Sequence, residues 1–379
     1  MRFIQLIVAE SDTTPSGAPI RNRSNFEIMS TLCRSKGEGR VIGLRIDKQT
    51  GLKSGSSIVA SLNPADIAQM LAECKRMRPD FILVEGVVLF QAVAALMQAL
   101  PDMRIVIDMH NIESNLQAQI DRHKLPRLFQ FLAQFVFMRD WRACLGFERQ
   151  IIAIARQVWV CSDADASLAQ RLFGKIAIAV VPNPIPDWTK TAIRDCGGAG
   201  KEVLFVGHLG YAPNKAAVAI LCKKVMPRLR RLVPDACLHV CGRHPRRRIS
   251  KLVRANGHRL SPNAPDMAPV YSTASLVAIP LRNGGGTRLK VLEAMAIGCP
   301  VVATHKAVEG LGVAPQTHYH AAESPAEFVT AIAAVLTAPI AAQDMANRAQ
   351  RFIRERYGIE QRTAAVRAAL IAAKLWVGQ

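Results

Sequence analysis

"NGGGTRLKVLEAMAIGCPVVAT", residues 283–304, decides the architecture. The apolar run "LVAIPL" ahead of it has strand character, and residues 283–286 read as a loop. Residues 287–297 have helical spacing that Gly298 and Pro300 end, and "VVAT" is a second apolar run. Strand, helix and strand in that order form a βαβ unit with parallel strands. Glycines ahead of a helix let a ligand approach the backbone, and the free N–H groups at the helix start attract phosphate oxygens. Thr287 is the expected N-cap, with Arg288 and Lys290 adding positive charge at the same end. Cations there oppose the helix dipole, and a bound anion would offset them. Lys290 and Glu293 are three apart and share a face, while Leu289, Leu292 and Ala296 form an apolar stripe. A carboxylate only accepts hydrogen bonds, so Glu293 suits a pair of sugar hydroxyls. The combination fits a nucleoside diphosphate, with its phosphates on Gly286 and Thr287 and its ribose on Glu293. The plainer alternatives are an exposed Lys290–Glu293 ion pair and a glycine loop that only makes a tight turn.

The alternation of short apolar runs with helical stretches extends in both directions. "FIQLIVA", "RVIGLRI", "FILVEG", "RIVIDM", "VWVCS" and "IAIAVV" occupy the first half, and the pattern restarts with "VLFVG", "CLHVCG", "LVAIP" and "VVAT". Two open parallel sheets follow, an α/β architecture of two Rossmann-like domains. Residues 182–201, with three prolines, two adjacent glycines and little periodicity, read as the connection between them, with the boundary near Asn183 to Lys201. The expected divisions are residues 1–185, residues 186–355 and a terminal helix over 356–379 that returns towards the first domain. Paired sheets of this kind bind ligands at the carboxyl ends of their strands, so the expected site is a central cleft.

Composition narrows the class. At 379 residues, half of them hydrophobic, the chain can bury more than one core and is not disordered. The nine cysteines are scattered, mostly within apolar runs, and read as buried thiols in a reducing compartment. Cys237 and Cys241 sit in a strand-like run whose spacing puts their sulfurs about 13 Å apart, too far for one zinc ion. "MRFIQLIVAE" reads as a first core strand, not a signal peptide, so the expected location is the cytoplasm. No run of eighteen apolar residues suggests a membrane span. The net charge of +20 is uneven, with 22 basic and 17 acidic residues through Asn183 and 27 and 12 after it. That field favours an anionic partner.

"GGGTRLKVLEAMAIGCPVVAT" followed by "EGL" resembles the donor-site segment of the retaining glycosyltransferases of family 4 (group 1), which have the GT-B fold. The likeness is greatest to bacterial members that build exopolysaccharide or capsule. "FVGHLGYAPNKAAV", "HVCGRHP", "IDMHNIES" and "PSGAPIRN" resemble further segments of that family. The resemblance implies transfer of a sugar from a nucleoside-diphosphate donor to a saccharide or polyprenyl-linked acceptor, with retention and without a metal or other cofactor. It puts the ribose-binding glutamate on Glu293 and the diphosphate-binding backbone on Gly286 and Thr287. Many members carry another glutamate where this chain has Gly285, so the sugar contact differs here. The family's early arginine and lysine fall near His208 and at Asn214 or Lys215, leaving Arg288 and Lys290 to supply charge. His110 matches a histidine that acts at the donor sugar, and Gly17 lies in the acceptor-side loop.

Three other features each admit two readings. Asp163 and Asp165 have a spacing that holds a divalent metal in a different glycosyltransferase fold, although here they suit a helix start capped by Ser162. The run "GRHPRRRISKLVRANGHR" has seven cations and no acid, and fits either a solvated helix face or lipid and acceptor phosphates. Residues 122–142 mix Arg122, Lys124, Arg127, Arg139 and Arg142 with Phe129, Phe131, Phe135, Phe137 and Trp141, suited to an interfacial helix at the inner membrane face or to core packing. Rival functions are a nucleotide-sugar epimerase of the same fold and a non-catalytic lipid- or nucleic-acid-binding protein. The basic run lacks aromatic platforms for RNA, so no nucleic-acid partner is expected.

Overall fold

A computed structural model describes residues 1–9, 17–33, 38–47, 61–122, 138–192, 194, 201–286 and 288–376. The chain forms two compact units, Met1–Pro184 with Glu360–Gln379, and Ile185–Ile359.

In the first unit the strands are Phe3–Val8 (β1), Gly39–Leu44 (β2), Phe81–Glu85 (β3), Ile105–Met109 (β4), Gln157–Val160 (β5) and Ile178–Val180 (β6). They pair in parallel in the order β2-β1-β3-β4-β5-β6. β3 and β4 are buried along their whole length, including Glu85 and Asp108, as central strands covered on both faces must be. The terminal helix Ile359–Ala372 lays Val366, Ala369 and Leu370 against Phe3, Phe81, Val106 and Trp159 of this sheet.

The second unit holds Glu202–Val206 (β7), Cys237–Gly242 (β8), Arg259–Pro262 (β9), Leu276–Ile279 (β10), Val301–Ala303 (β11) and His320–Ala321 (β12). Their parallel order is β12-β11-β10-β7-β8-β9. All ten strands expected from apolar runs are present. β9 and β12 were not read because both are edge strands: one is largely polar and partly exposed, the other two residues long, so neither carries a two-sided apolar signal. Chain order reverses between β1 and β3 in one sheet and between β7 and β10 in the other. At such switch points the loops beyond the strand ends diverge and leave a crevice.

Among the described residues no single helix is long and apolar enough to cross a membrane.

Candidate active site

The glycine loop leaves β10 beside the switch point of the second sheet. Gly284 and Gly286 have φ of 135° and 63°, which keeps the chain out of helical conformation and delays the helix. It runs over Leu289–Ala296, two residues later than expected, with Arg288 at the cap position and no side-chain cap. Thr287 lies outside the described residues. Arg288 does not project as a free cation. Its Nη1 donates to the carbonyls of Gly285 and Gly286, bracing the loop on itself. The helix is also buried more completely than a single stripe requires, since every residue from Val291 to Ala296 is buried.

Lys290 and Glu293 form no ion pair with each other among the described residues, and neither is a surface group. Lys290 Nζ donates to Asn214 Oδ1 at 2.8 Å and lies 4.8 Å from the centre of the Phe205 ring. Burial and the neighbouring Arg288 lower its ammonium from the ordinary 10.5 to about 7, against the attraction of Glu293. Glu293 Oε2 accepts from the Tyr271 hydroxyl at 2.8 Å, and burial pushes its carboxyl up despite that bond. Tyr271 is fully buried, and its ring packs on Trp188 with centroids 5.2 Å apart. Nothing in the sequence around Tyr271, a residue of the short helix Ala268–Ser272, marks it as the partner of Glu293.

The loop after β7 closes the same site. A Cβ on Gly207 would lie 2.7 Å from Lys290 Nζ and 2.8 Å from Asn214 Nδ2, so any side chain here would push the ends of both out of their present positions. Asn214 Nδ2 in turn holds the carbonyl of His208 at 3.0 Å. Of the two positions considered for the second cation, Asn214 meets Lys290, while Lys215 makes no side-chain hydrogen bond among the described residues. The reason is helical phase: in Ala212–Ile220 the buried face carries Asn214, and Lys215 is turned away from it. His208 is exposed and sits beside His244, ring centroids 5.2 Å apart. Burial, His244 and Arg243 lower its pKa.

In the first unit the strand ends carry a second polar cluster. Arg21 holds both oxygens of Asp108 at 2.7 Å, and Asn25 Nδ2 donates to Asp108 at 2.8 Å and to Glu85 Oε1 at 2.9 Å. Burial opposes the charge of Asp108, but the Arg21 guanidinium outweighs it and holds this carboxyl well below the usual range. His110, just past β4 and partly exposed, has Nε2 3.0 Å from Glu85 Oε2. Burial and the nearby Asp108 push the Glu85 carboxyl up, while the bond with His110 pulls it back. Glu85, Asp108 and Arg21 were not anticipated from sequence, although an acid ending a central apolar strand, as in "FILVE" and "IVIDM", is a signal that could have found the first two. The ligand atoms of Glu85, Asp108 and His110 lie within 4.8 Å of one another, close enough for a cation. A metal there would have to displace Arg21 from Asp108 and amides from Glu85, so the donor set fits a hydrogen-bonded network better. The next helix start, Glu113–Arg122, is capped by Glu148, which accepts from the backbone N–H of Glu113 at 2.7 Å and Ser114 at 3.3 Å. A protein carboxylate therefore occupies that anion position.

Gly17 is exposed and opens the helix Gly17–Leu32; the rest of the expected loop, residues 10–16, lies outside the described residues. Asp165 belongs to a helix cap: its N–H donates to Ser162 Oγ at 3.2 Å, and Ser162 Oγ lies 2.7 Å from its carboxylate. Cys241 is buried within β8, and Cys237 partly so, both as free thiols. Most of the proposed interfacial stretch, residues 123–137, lies outside the described residues.

Residues 200–338, which contain Gly207, Asn214, Tyr271, Lys290 and Glu293, match the family model described as glycosyl transferases group 1. Solved structures share the architecture over nearly the whole chain. Sucrose-phosphate synthase from Thermosynechococcus elongatus superposes with a TM-score of 0.74 at 17% identity, covering 99% of this chain and 98% of that one. HepE from Anabaena in complex with UDP-glucose gives 0.67 at 13%, covering 98% and 99%. The apo structure of OtsA gives 0.67 at 11%, covering 100% of both. The fold is GT-B, and the chain is a transferase. No curated protein matches the sequence. The loops after β7 and β10 lie within the segment that matches this family model, and the His110 cluster lies in the other sheet, outside it.

Proposed function

We propose that this GT-B transferase moves a sugar from a nucleoside-diphosphate donor to a saccharide or lipid-linked saccharide, with retention, as a family 4 enzyme of cell-surface polysaccharide synthesis. The observation that carries the proposal is the pair on the glycine-loop helix, half-buried Lys290 and buried Glu293, with hydrogen-bonding capacity that the described residues leave unfilled. Among the described residues Lys290 has three donors and one hydrogen-bond acceptor, and Glu293 has two oxygens and one side-chain donor. A diphosphate beside Lys290 and the backbone of Gly285, Gly286 and Thr287 would complete the first, and ribose hydroxyls the second. Lys290 and the loop amides would then stabilise the charge that develops on the leaving diphosphate. His208 borders the same crevice, and His110 is assigned to the donor sugar. Neighbours of the fold bound to UDP-glucose support the choice of donor class.

Thermal stabilisation across a panel of nucleotide sugars tests the donor, followed by product analysis with lipid and oligosaccharide acceptors. No stabilisation by any donor would sink the assignment. The transfer is expected to survive EDTA, and loss that manganese restores would return attention to Glu85, Asp108 and His110. That same cluster, an acid–base group at strand ends, favours a second reading as a nucleotide-sugar epimerase. Conversion of a nucleotide sugar without any acceptor would establish it.

The location proposed is the inner face of an anionic membrane. The helix Arg247–Ala255 buries Ile249 and Val253, while Arg246, Arg247, Arg248, Lys251 and Arg254 are exposed and paired with no carboxylate among the described residues. Sedimentation with anionic vesicles should fall as salt rises and when Arg247, Lys251 and Arg254 become glutamate. A protein that ignores such vesicles at low salt does not bind the membrane by this face.

A further inference from the structure

The polar cluster of the first unit fixes more than the position of His110. Each hydrogen-bonding group around Glu85 has its orientation set by another partner. Arg362, from the terminal helix, donates to Ser24 Oγ at 3.1 Å, to the Pro182 carbonyl at 3.1 Å and to Asn25 Oδ1. With its oxygen so engaged, Asn25 must turn its NH2 to Asp108 and Glu85. Gln5 Nε2 donates to the Asn22 carbonyl at 2.8 Å and to Glu85 Oε1. Oε1 therefore receives two amide donors and carries no proton. Oε2 faces His110 Nε2 at 3.0 Å, and the Asn22 amide, in the orientation that satisfies its neighbours, donates to the Ala18 carbonyl at 2.9 Å and lies 3.1 Å from Oε2 and 3.2 Å from His110 Nε2, so that once Nε2–H donates to Oε2 the second amide hydrogen belongs to Oε2. Donors directed at both oxygens suit an acceptor-only carboxylate. The remaining ring nitrogen, Nδ1, has no protein partner among the described residues.

We propose that Glu85 is the positioning residue of His110: it accepts Nε2–H as a carboxylate and so presents Nδ1 as an unprotonated acceptor for a hydroxyl of the transferred sugar. The partner of one imidazole nitrogen decides which nitrogen carries the proton, as the buried aspartate does for the histidine of a serine-protease triad. The proposal rests on the assignment of His110 to the sugar, and it adds a direction to that contact. The sugar donates and the histidine accepts, so the donor must carry a free hydroxyl at that position. Arg362 belongs to the same device, because it fixes Asn25 and, through it, the acceptor character of Oε1.

Glu85→Gln reverses the polarity without changing the shape. Gln5 and Asn25 still donate to the Oε1 position, which must remain the carbonyl, so the new NH2 faces His110 Nε2. The ring then accepts at Nε2 and carries its proton on Nδ1. Long-range proton–nitrogen correlation spectra of the full-length protein, recorded across a pH series, distinguish the two tautomers directly. The wild type should show the Nε2–H form and Glu85→Gln the Nδ1–H form. Transfer by the variant should fall roughly tenfold or more while nucleotide affinity stays within about twofold, as expected for loss of one hydrogen bond to the reacting sugar. An Nδ1–H tautomer in the wild type, a spectrum that needs no variant, overturns the proposal. So does an unchanged tautomer in Glu85→Gln. A switched tautomer with unchanged turnover leaves the pairing standing and sinks instead the assignment of His110 to the sugar.

Discussion

The two polar sites are built on opposite terms. At the strand ends of the first unit, Asp108 is held by Arg21 and Asn25 and Glu85 by Gln5, Asn25 and His110, and among the described residues the cluster leaves open only His110 Nδ1 and the buried Gln5 Oε1. At the glycine-loop helix of the second unit, Lys290 and Glu293 each have one neutral hydrogen-bond partner among the described residues, Asn214 and Tyr271, and both keep capacity to spare. A closed network holds a group rigid. An open one, dry and under-coordinated, favours a ligand that supplies the missing partners. The contrast separates holding from binding within one molecule, and single substitutions can break it.

The largest effect is expected where backbone meets backbone. A Cβ on Gly242, at the end of β8, would fall on the carbonyl oxygen of Gly207. Gly242→Ala should cost about 3 kcal/mol or more by overpacking, read as a lower denaturation midpoint of the unit with nucleotide affinity lost alongside it. A variant that folds and binds normally would mean the two strands part easily, and that the site is looser than described.

Lys290→Met comes next and should move binding and stability in opposite directions. Diphosphate affinity should drop by about 1.5–3 kcal/mol, the range for hydrogen bonds to charged groups, while the ligand-free protein melts no lower than wild type. The pH dependence sharpens this. With the folded ammonium lowered to about 7, Lys290 opposes folding most fully below that pH, and the penalty is relieved as pH rises towards the unfolded value of 10.5. A bound diphosphate restores the proton, so binding above neutral pH should take up protons and weaken as pH climbs. Calorimetry in buffers of different ionisation heat measures the uptake, and Lys290→Met should abolish it. Equal uptake in the variant would place the proton elsewhere.

The smallest effect belongs to Tyr271→Phe. Removing one hydroxyl frees Glu293 to reorient and should weaken nucleoside-diphosphate binding by about 0.5–1.5 kcal/mol, with the ring packing on Trp188 retained. The comparison to make is with a diphosphate that lacks the nucleoside. If Tyr271 acts through Glu293 on the ribose, that ligand is indifferent to the change.

Sequence by itself determined the sheets and the place of the loop. Ten apolar runs gave ten strands, because burial on both faces of a parallel sheet writes a local pattern, and the glycines of residues 283–286 marked a backbone conformation that side chains rarely adopt. The edge strands β9 and β12 escaped, since an edge is only half covered. Partnership was what the tertiary structure decided. Lys290 and Glu293 share a helix face and invite a local ion pair, yet each turns to a residue more than twenty positions away, Asn214 and Tyr271. Arg288 follows its own loop, Lys215 points off the site, and Glu85 meets His110 only because β3 and β4 lie side by side. Hydrogen bonds between buried groups depend on distances and directions in three dimensions, and the fold creates these where no periodicity along the chain records them.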